Sequence, residues 1–407
     1  MRFSQYAITL AIIIVAISCN RQGCTDSRAD NFDSGAQVDD GTCDYSSERD
    51  RLYSEFKTQF ANIAFATYSD VYDQTLVLQG EVENFLEFPT EQNYQFCKDA
   101  WLIASELYGT SVVFPYAIGG ADEELLSRVD GWPIIPSYID YADGDDSLGI
   151  INQETSYPNI DAATLEAAHN NSEGKLALGF HAIEFLLWGE DRSDTATDKT
   201  GNRVYRDYLT EDGKHENQNR RGDYLLVAAQ RLNASMGTMK NDWDPNQAGN
   251  LRNDFLNLSG PVAAGNVLNG LYEVSNVQLA QFQFAEAIAN PDSLLEQSEF
   301  SDNTLQDLFA NAIAMENAYM GTYITFDAER LSGTSVNDVL LLQHDTIAAR
   351  LETGFPDILL KMEEIIGPFD RRASREGSAE TGSIAAVRKR CELVGEYLQL
   401  GTEVLAD

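Results

Sequence analysis

Positive charge is scarce in this sequence. Lysine and arginine together number 28 against 65 aspartates and glutamates, a formal net charge of −37. So acidic a surface repels phosphate backbones, which excludes nucleic-acid binding. It is compatible with cation capture, although solubility and salt tolerance are the commoner uses of acidity. Membrane-length apolar runs are missing as well: the one sustained apolar stretch, residues 6–17, is too short to span a bilayer as a mature helix. β-alternation of useful length is absent, which argues against a sheet-based fold. Familiar zinc-protease motifs are lacking too, since there is no HExxH, and HxxEH fails because Phe185 stands where its second histidine belongs. What is present, 407 residues with 43% hydrophobic content, can bury a substantial core in one large domain or two packed subdomains.

The N-terminus points to the cell envelope. Met1-Arg2, the apolar run and Ala16-Ile17-Ser18-Cys19 resemble a bacterial lipoprotein signal, cleaved before Cys19, whose thiol and amine then carry lipid. An ordinary secretory signal or an uncleaved anchor is the alternative. The lipoprotein reading gives a soluble body that meets membrane only through its anchor, at the outer membrane and facing the periplasm or the surface. In that oxidising compartment Cys24 and Cys43 bracket a short loop and are expected to form a disulfide. Cys97 and Cys391 lie in helical patterns and either pair or stay as two buried thiols. Residues 23–26 and 39–43 together resemble a GCTD…DDGTC module of secreted Bacteroidetes proteins. Its Asp26, Asp30, Asp33, Asp39 and Asp40 are hard oxygen donors that could gather around calcium, but they match no EF-hand, and a disulfide-closed spacer is the preferred reading.

The rest reads as all-α. Leu52, Phe56, Phe60, Ile63, Val71, Leu78, Val82 and Phe85 keep helical spacing until Pro89, and Thr90 opens a second helix through Trp101, Leu107 and Tyr108. Further helices are expected from Asp161, from Arg220 to Met236, over 246–257, 261–289 and 304–325, from Val336 to Ile366 and from Gly377 to Leu405. The resulting organisation is a signal over 1–18, a Cys/Asp-rich spacer over 19–47 and a helical body over 48–407. The body comprises two packed helical-bundle lobes, near 48–240 and 246–407.

One stretch carries chemistry. In Gly179-Phe180-His181-Ala182-Ile183-Glu184-Phe185-Leu186-Leu187-Trp188-Gly189-Glu190-Asp191, apolar residues at helical spacing predict an amphipathic helix ending near Gly189. His181 and Glu184, three apart, share one face, so an imidazole and a carboxylate can converge on one ion. A carboxylate against bulky apolar neighbours needs a proton, a donor or a metal. The other three histidines, His169, His215 and His344, read as a remote candidate, a surface residue and a core position.

This stretch resembles the GxHxxE signature of the imelysin family. Trp101, Ala104, Tyr108, Ser111 and Phe114 are similar to a second family motif, WxxAR and its continuation. There Ser105 replaces the arginine and Val112 an acidic residue, with Glu106 beside the lost arginine. Gly131-Trp132-Pro133 through Ile139-Asp140 is similar to a third family stretch and reads as a packed irregular wall. Asp327-Ala328-Glu329-Arg330-Leu331-Ser332-Gly333 is similar to a family loop that meets the signature helix. The resemblance implies a two-lobed helical protein of the envelope, associated with iron uptake and historically classed with metallopeptidases. It implies His181 and Glu184 as metal ligands and Glu106, Glu329, Arg330 and Ser332 as pocket-lining residues.

Three functions follow. The first is an envelope metal-binding protein working with uptake-system proteins, with a divalent or trivalent ion, iron favoured and zinc the alternative. The second is a metallopeptidase, which needs about three protein ligands, an open position for water and a separate base, more than His181 and Glu184 supply. The third is a non-catalytic module with a degenerate site for a small ligand or a protein, a reading that Ser105 and Val112 support.

Overall fold

The computed structural model describes residues 21–142, 144–191, 200–211, 213, 215–290, 296–379 and 381–406. The signal at 1–18 and the lipidation expected at Cys19 lie outside the described residues. The chain divides into two units between Arg51 and Leu52.

In the N-terminal unit the Cys24–Cys43 disulfide is formed. Its aspartates are spent on the loop itself. Asp26 accepts from Arg28 and from the Tyr45 hydroxyl, Asp30 from Ser46 and Ser47, Asp39 from the Gly41 N–H, and Asp40 from Thr42. The bonds to Arg28, Gly41 and Thr42 are Asx-type turns two residues long, while those to Tyr45, Ser46 and Ser47 tie the loop to the start of the first helix. No three acidic groups there are arranged for an ion among the described residues, and the bonds shown are those of a closed spacer.

The body is helical, as the apolar spacing requires. The first helix, Ser46–Glu87, buries Phe56, Phe60, Ile63, Val71, Leu78, Val82 and Phe85 and stops just before Pro89. Thr90 caps the second, Glu91–Gly109, by accepting from the Asn93 N–H. Phe56, Phe60, Phe114, Trp243 and Phe255 meet edge-on or tilted in one aromatic cluster. The last helix, Ser383–Ala406, packs on Asp345–Met362 and on Gly260–Tyr272. Thr304–Met320, from the second half of the chain, packs on the second helix, from the first half. No described helix is long and apolar enough to cross a membrane.

Three local expectations are corrected. The helix foreseen over 261–289 is α-helical over Gly260–Tyr272, π-helical over Glu273–Phe284 and α-helical again over Ala285–Ala289. In the wider winding Val274, Leu279 and Phe284, five apart, are buried, while Phe282 is left 62% exposed. The span from Val336 to Ile366 is broken at His344 into Val336–Gln343 and Asp345–Met362. A small antiparallel hairpin pairs Thr322–Ile324 with Arg330–Ser332, so among the described residues the fold is helical with one two-stranded ornament.

Candidate functional site

The signature helix is Phe180–Trp188, and it is not amphipathic: every one of its nine residues is buried. Its ends explain how so apolar an element is tolerated. The carbonyls of Leu186, Leu187 and Trp188, left without partners in the helix, accept from the Tyr208 hydroxyl, the Tyr94 hydroxyl and the Arg203 N–H. At the other end Trp101 Nε1 donates to the Phe180 carbonyl at 2.9 Å.

Gly179 sets the approach. Its φ is +100°, and a Cβ there would lie 2.7 Å from the Val129 carbonyl oxygen. The bare backbone lets the helix start pass close to the short helix Glu123–Asp130, which is capped by Asp122. That contact brings Asp130, the last residue of the short helix, to His181. Gly179→Ala is therefore expected to lower stability by about 2 kcal/mol or more. Denaturant unfolding checks this, and an unchanged midpoint would mean that the approach relaxes freely.

His181 is held from both sides. Nδ1 lies 3.0 Å from Glu184 Oε2 and Nε2 lies 3.1 Å from Asp130 Oδ1. Burial works against its charge, but the two carboxylates prevail and raise the imidazole to about 10, so it is an imidazolium at neutral pH. Glu184 Oε1 accepts from the Ser301 N–H at 2.9 Å and its hydroxyl at 2.7 Å. Glu184 is thus wholly enclosed and engaged at both oxygens. Asp130 instead lines a cavity of about 490 Å³ together with Tyr108, Val112, Trp132 and Gln297. Gln297 Nε2 donates to Asp130 Oδ2 at 3.3 Å.

Other acids gather behind the helix. Asp307, in the first turn of Thr304–Met320, accepts from Ser298, Asn303 and Ser105. Burial raises it to about 7, and no lysine or arginine pairs with it among the described residues. Glu299 is likewise raised to about 7, by burial first and then by Glu184. Glu106 bonds to Asn303 and is raised by burial, which places it at the edge of this group. Ser105, where the resemblance expects arginine, faces Asp307.

The structure therefore brings together His181, Glu184 and, at one remove, Glu106. It does not bring Glu329, Arg330 or Ser332 to them. These three are exposed and lie on the hairpin, which leans on the first helix: Tyr323 and the Phe326 N–H donate to Asp70, and Thr334 donates to Glu55. His169 is a core histidine, accepting from the Ala177 N–H at Nδ1 and facing Ser127 at Nε2. His215 is half-buried, stacked on Tyr141. Cys97 and Cys391 are separate buried thiols. Sequence reasoning missed Asp130, Ser301 and Asp307. Only Asp130 carried a signal, as an acid immediately before Gly131-Trp132-Pro133.

A metal fits this site on one side only. His181 Nε2 and Asp130 Oδ1 stand as far apart as two adjacent ligands with bonds of about 2.1 Å. Glu184 is shielded on the opposite side of the ring. No group of three or more His, Cys, Asp or Glu side chains is arranged around an ion among the described residues.

Comparison with known proteins agrees with this geometry at the level of family. The imelysin family model matches residues 64–390. A search of curated proteins finds no match. Among solved structures, an iron-regulated protein A precursor from Parabacteroides distasonis is 15% identical, with a TM-score of 0.64 over 88% of this chain and 95% of that one. An imelysin-like protein from Psychrobacter arcticum is 13% identical, with a TM-score of 0.52 over 88% of this chain and 94% of that one. With the family model spanning most of its length, the signature histidine and glutamate joined in one buried pair, and a shared helical fold, this chain belongs to the imelysin family.

Proposed function

We propose that the protein is a cell-envelope metal-binding protein acting in iron uptake, iron being the favoured ion and zinc the alternative. His181 Nε2 and Asp130 are its ligands, and Glu184 holds the imidazole from behind. The observation that carries this reading is the pair of carboxylates on one imidazole, one sealed and one on a cavity. It is the arrangement in which a ligating histidine is oriented by an acid on its second nitrogen. The relative from Parabacteroides distasonis, named for iron regulation, supports iron. A lipid anchor at Cys19 and uptake-system proteins as partners belong to the same proposal.

Metal binding at Nε2 must displace a proton that the carboxylates hold to about pH 10, so affinity rises with pH across the neutral range. With two protein ligands the remaining positions fall to water or to groups carried by the incoming ion. Hydrolysis is the weaker reading, because Glu184 is enclosed and among the described residues no second base faces Nε2 beside Asp130. A binding module without metal is the second reading, favoured by the hydrogen bonds that already satisfy both nitrogens of His181.

Metal analysis and iron titration of the purified protein decide between them. His181→Ala and Asp130→Asn are each expected to weaken iron binding at least about tenfold, and Glu184→Gln by a comparable factor through loss of orientation. Equal iron binding by all three variants and the parent would remove the metal proposal. Peptide cleavage dependent on His181 would move the protein to the hydrolase reading.

A further inference from the structure

The cavity beside Asp130 has a chemistry of its own. Its volume, about 490 Å³, is that of a small-molecule site. Among the described residues that line it there is no lysine, arginine or histidine, while Asp130, Glu123 and Glu273 supply three carboxylates. Tyr108, Tyr116, Trp132 and Phe282 supply rings. The His181 imidazolium stands 3.1 Å behind Asp130 and offsets one of the three charges, but Glu123 and Glu273 with the aromatic faces still leave a lining that selects cations and rejects anions.

Two further observations point to an occupant. Tyr108 and Gln283 are 6% and 7% exposed, both line the cavity, and neither side chain has a hydrogen-bond partner among the described residues. Their polar atoms are not among those sealed from solvent, so they open onto the cavity, where an occupant can meet them. The π-helical winding then explains the convergence on this wall. Glu273, Gln278 and Gln283 are spaced five apart, and all three line the cavity. In an α-helix residues five apart diverge, whereas an i→i+5 turn returns them to one face. π-Helical winding recurs at functional sites, mostly as single turns, and here it extends over Glu273–Phe284.

We propose that this cavity binds a small organic cation, an alkylammonium or guanidinium compound. Asp130 and Glu273 act as its counterions, the aromatic rings as its walls, and the Tyr108 hydroxyl and Gln283 amide as hydrogen-bonding partners. The proposal goes beyond the metal reading and does not need it. Glu273 is consistent with it: burial, and then Glu123, raise its proton affinity, a repulsion that a bound cation relieves.

The test uses the full mature chain stripped of metal by a chelator, titrated calorimetrically with benzamidine and with benzoate, a pair of like shape and opposite charge. Agmatine and citrate form a second pair. Benzamidine and agmatine are expected to bind with Kd below about 1 mM, and the two anions not to bind. Glu273→Gln and Asp130→Asn are each expected to weaken cation binding about tenfold, and Gln283→Leu to weaken it without changing the charge preference. Circular dichroism confirms that each variant is folded. Tighter binding of an arginine-containing tripeptide amide than of agmatine assigns the cation to a peptide side chain; the reverse assigns it to a free metabolite. Anions binding as well as cations, no cation binding, or cation binding unchanged by both charge substitutions overturns the proposal. Because the protein is metal-free, failure here leaves the iron result with His181→Ala untouched.

Discussion

Asp140→Asn is expected to destabilise the protein by about 3–5 kcal/mol, with a fall in Tm on the order of 10 °C. Asp140, Arg203 and Arg221 form a buried ionic cluster in which none of the three side chains reaches solvent. Asp140 Oδ2 accepts from Arg203 Nη1 at 2.5 Å and Arg221 Nε at 2.6 Å, and Oδ1 accepts from Arg221 Nη2 at 3.0 Å. Burial alone would favour the neutral carboxyl, but Arg203 and Arg221 hold it well below the usual carboxylate range. Both guanidiniums also lie over the Tyr141 ring, at 4.6 and 5.0 Å. Removing the one negative charge leaves two cations in an interior that cannot solvate them. Arg203 also packs over Phe185 of the signature helix and caps Trp188 through its N–H, so the loss reaches the site. A triple change of Asp140, Arg203 and Arg221 to apolar residues is expected to be milder than the single one, because no charge is then stranded. Equilibrium unfolding of the two variants checks this. Asp140→Asn within about 1 kcal/mol of the parent would show that water or neighbouring groups neutralise the arginines.

The second large effect is an inverted pH dependence. Most proteins gain stability as their carboxylates ionise; this chain, in chelator-treated form, is expected to lose it between about pH 5 and pH 8. Asp307 holds its proton more tightly in the folded chain, about 7 against 3.8, and Glu299 about 7 against 4.5. Each therefore favours the fold while protonated, and that contribution is lost as pH rises through about 7. His181, raised from 6.5 to about 10, stabilises fully below 6.5 and loses its contribution as pH climbs through about 10, in the same direction. For Asp307 the difference corresponds to roughly 4 kcal/mol at full expression. Asp307→Asn, which keeps the shape and removes the charge, is expected to raise Tm at pH 8 and flatten the profile. Thermal melts across that range give the answer, and parent and variant profiles rising together would refute it.

The parts legible in the sequence were those written locally. Pro89 and Thr90 marked the break between the first two helices, and the spacing of His181 and Glu184 announced their contact. The parts that were illegible depend on distant partners. Asp130 meets His181 from 51 residues away and Ser301 meets Glu184 from 117 away, and no periodicity encodes either. The uniform burial of Phe180–Trp188 could not be read from its pattern, because an amphipathic and an enclosed helix share the same apolar spacing when the polar positions are few. Over Glu273–Phe284 the sequence did carry a five-residue recurrence of Val274, Leu279 and Phe284. An α-helical template passes over it.

Cys97 and Cys391 sit on separate helices, both fully enclosed, with burial pushing each thiol above its ordinary range. In a soluble form that begins after Cys19, with Cys24 and Cys43 bonded, they are the two thiols left to a thiol-alkylating reagent. Its rate of uptake in native buffer then becomes a clock for how often the body opens. The stability of every variant above can be followed on that clock without denaturant.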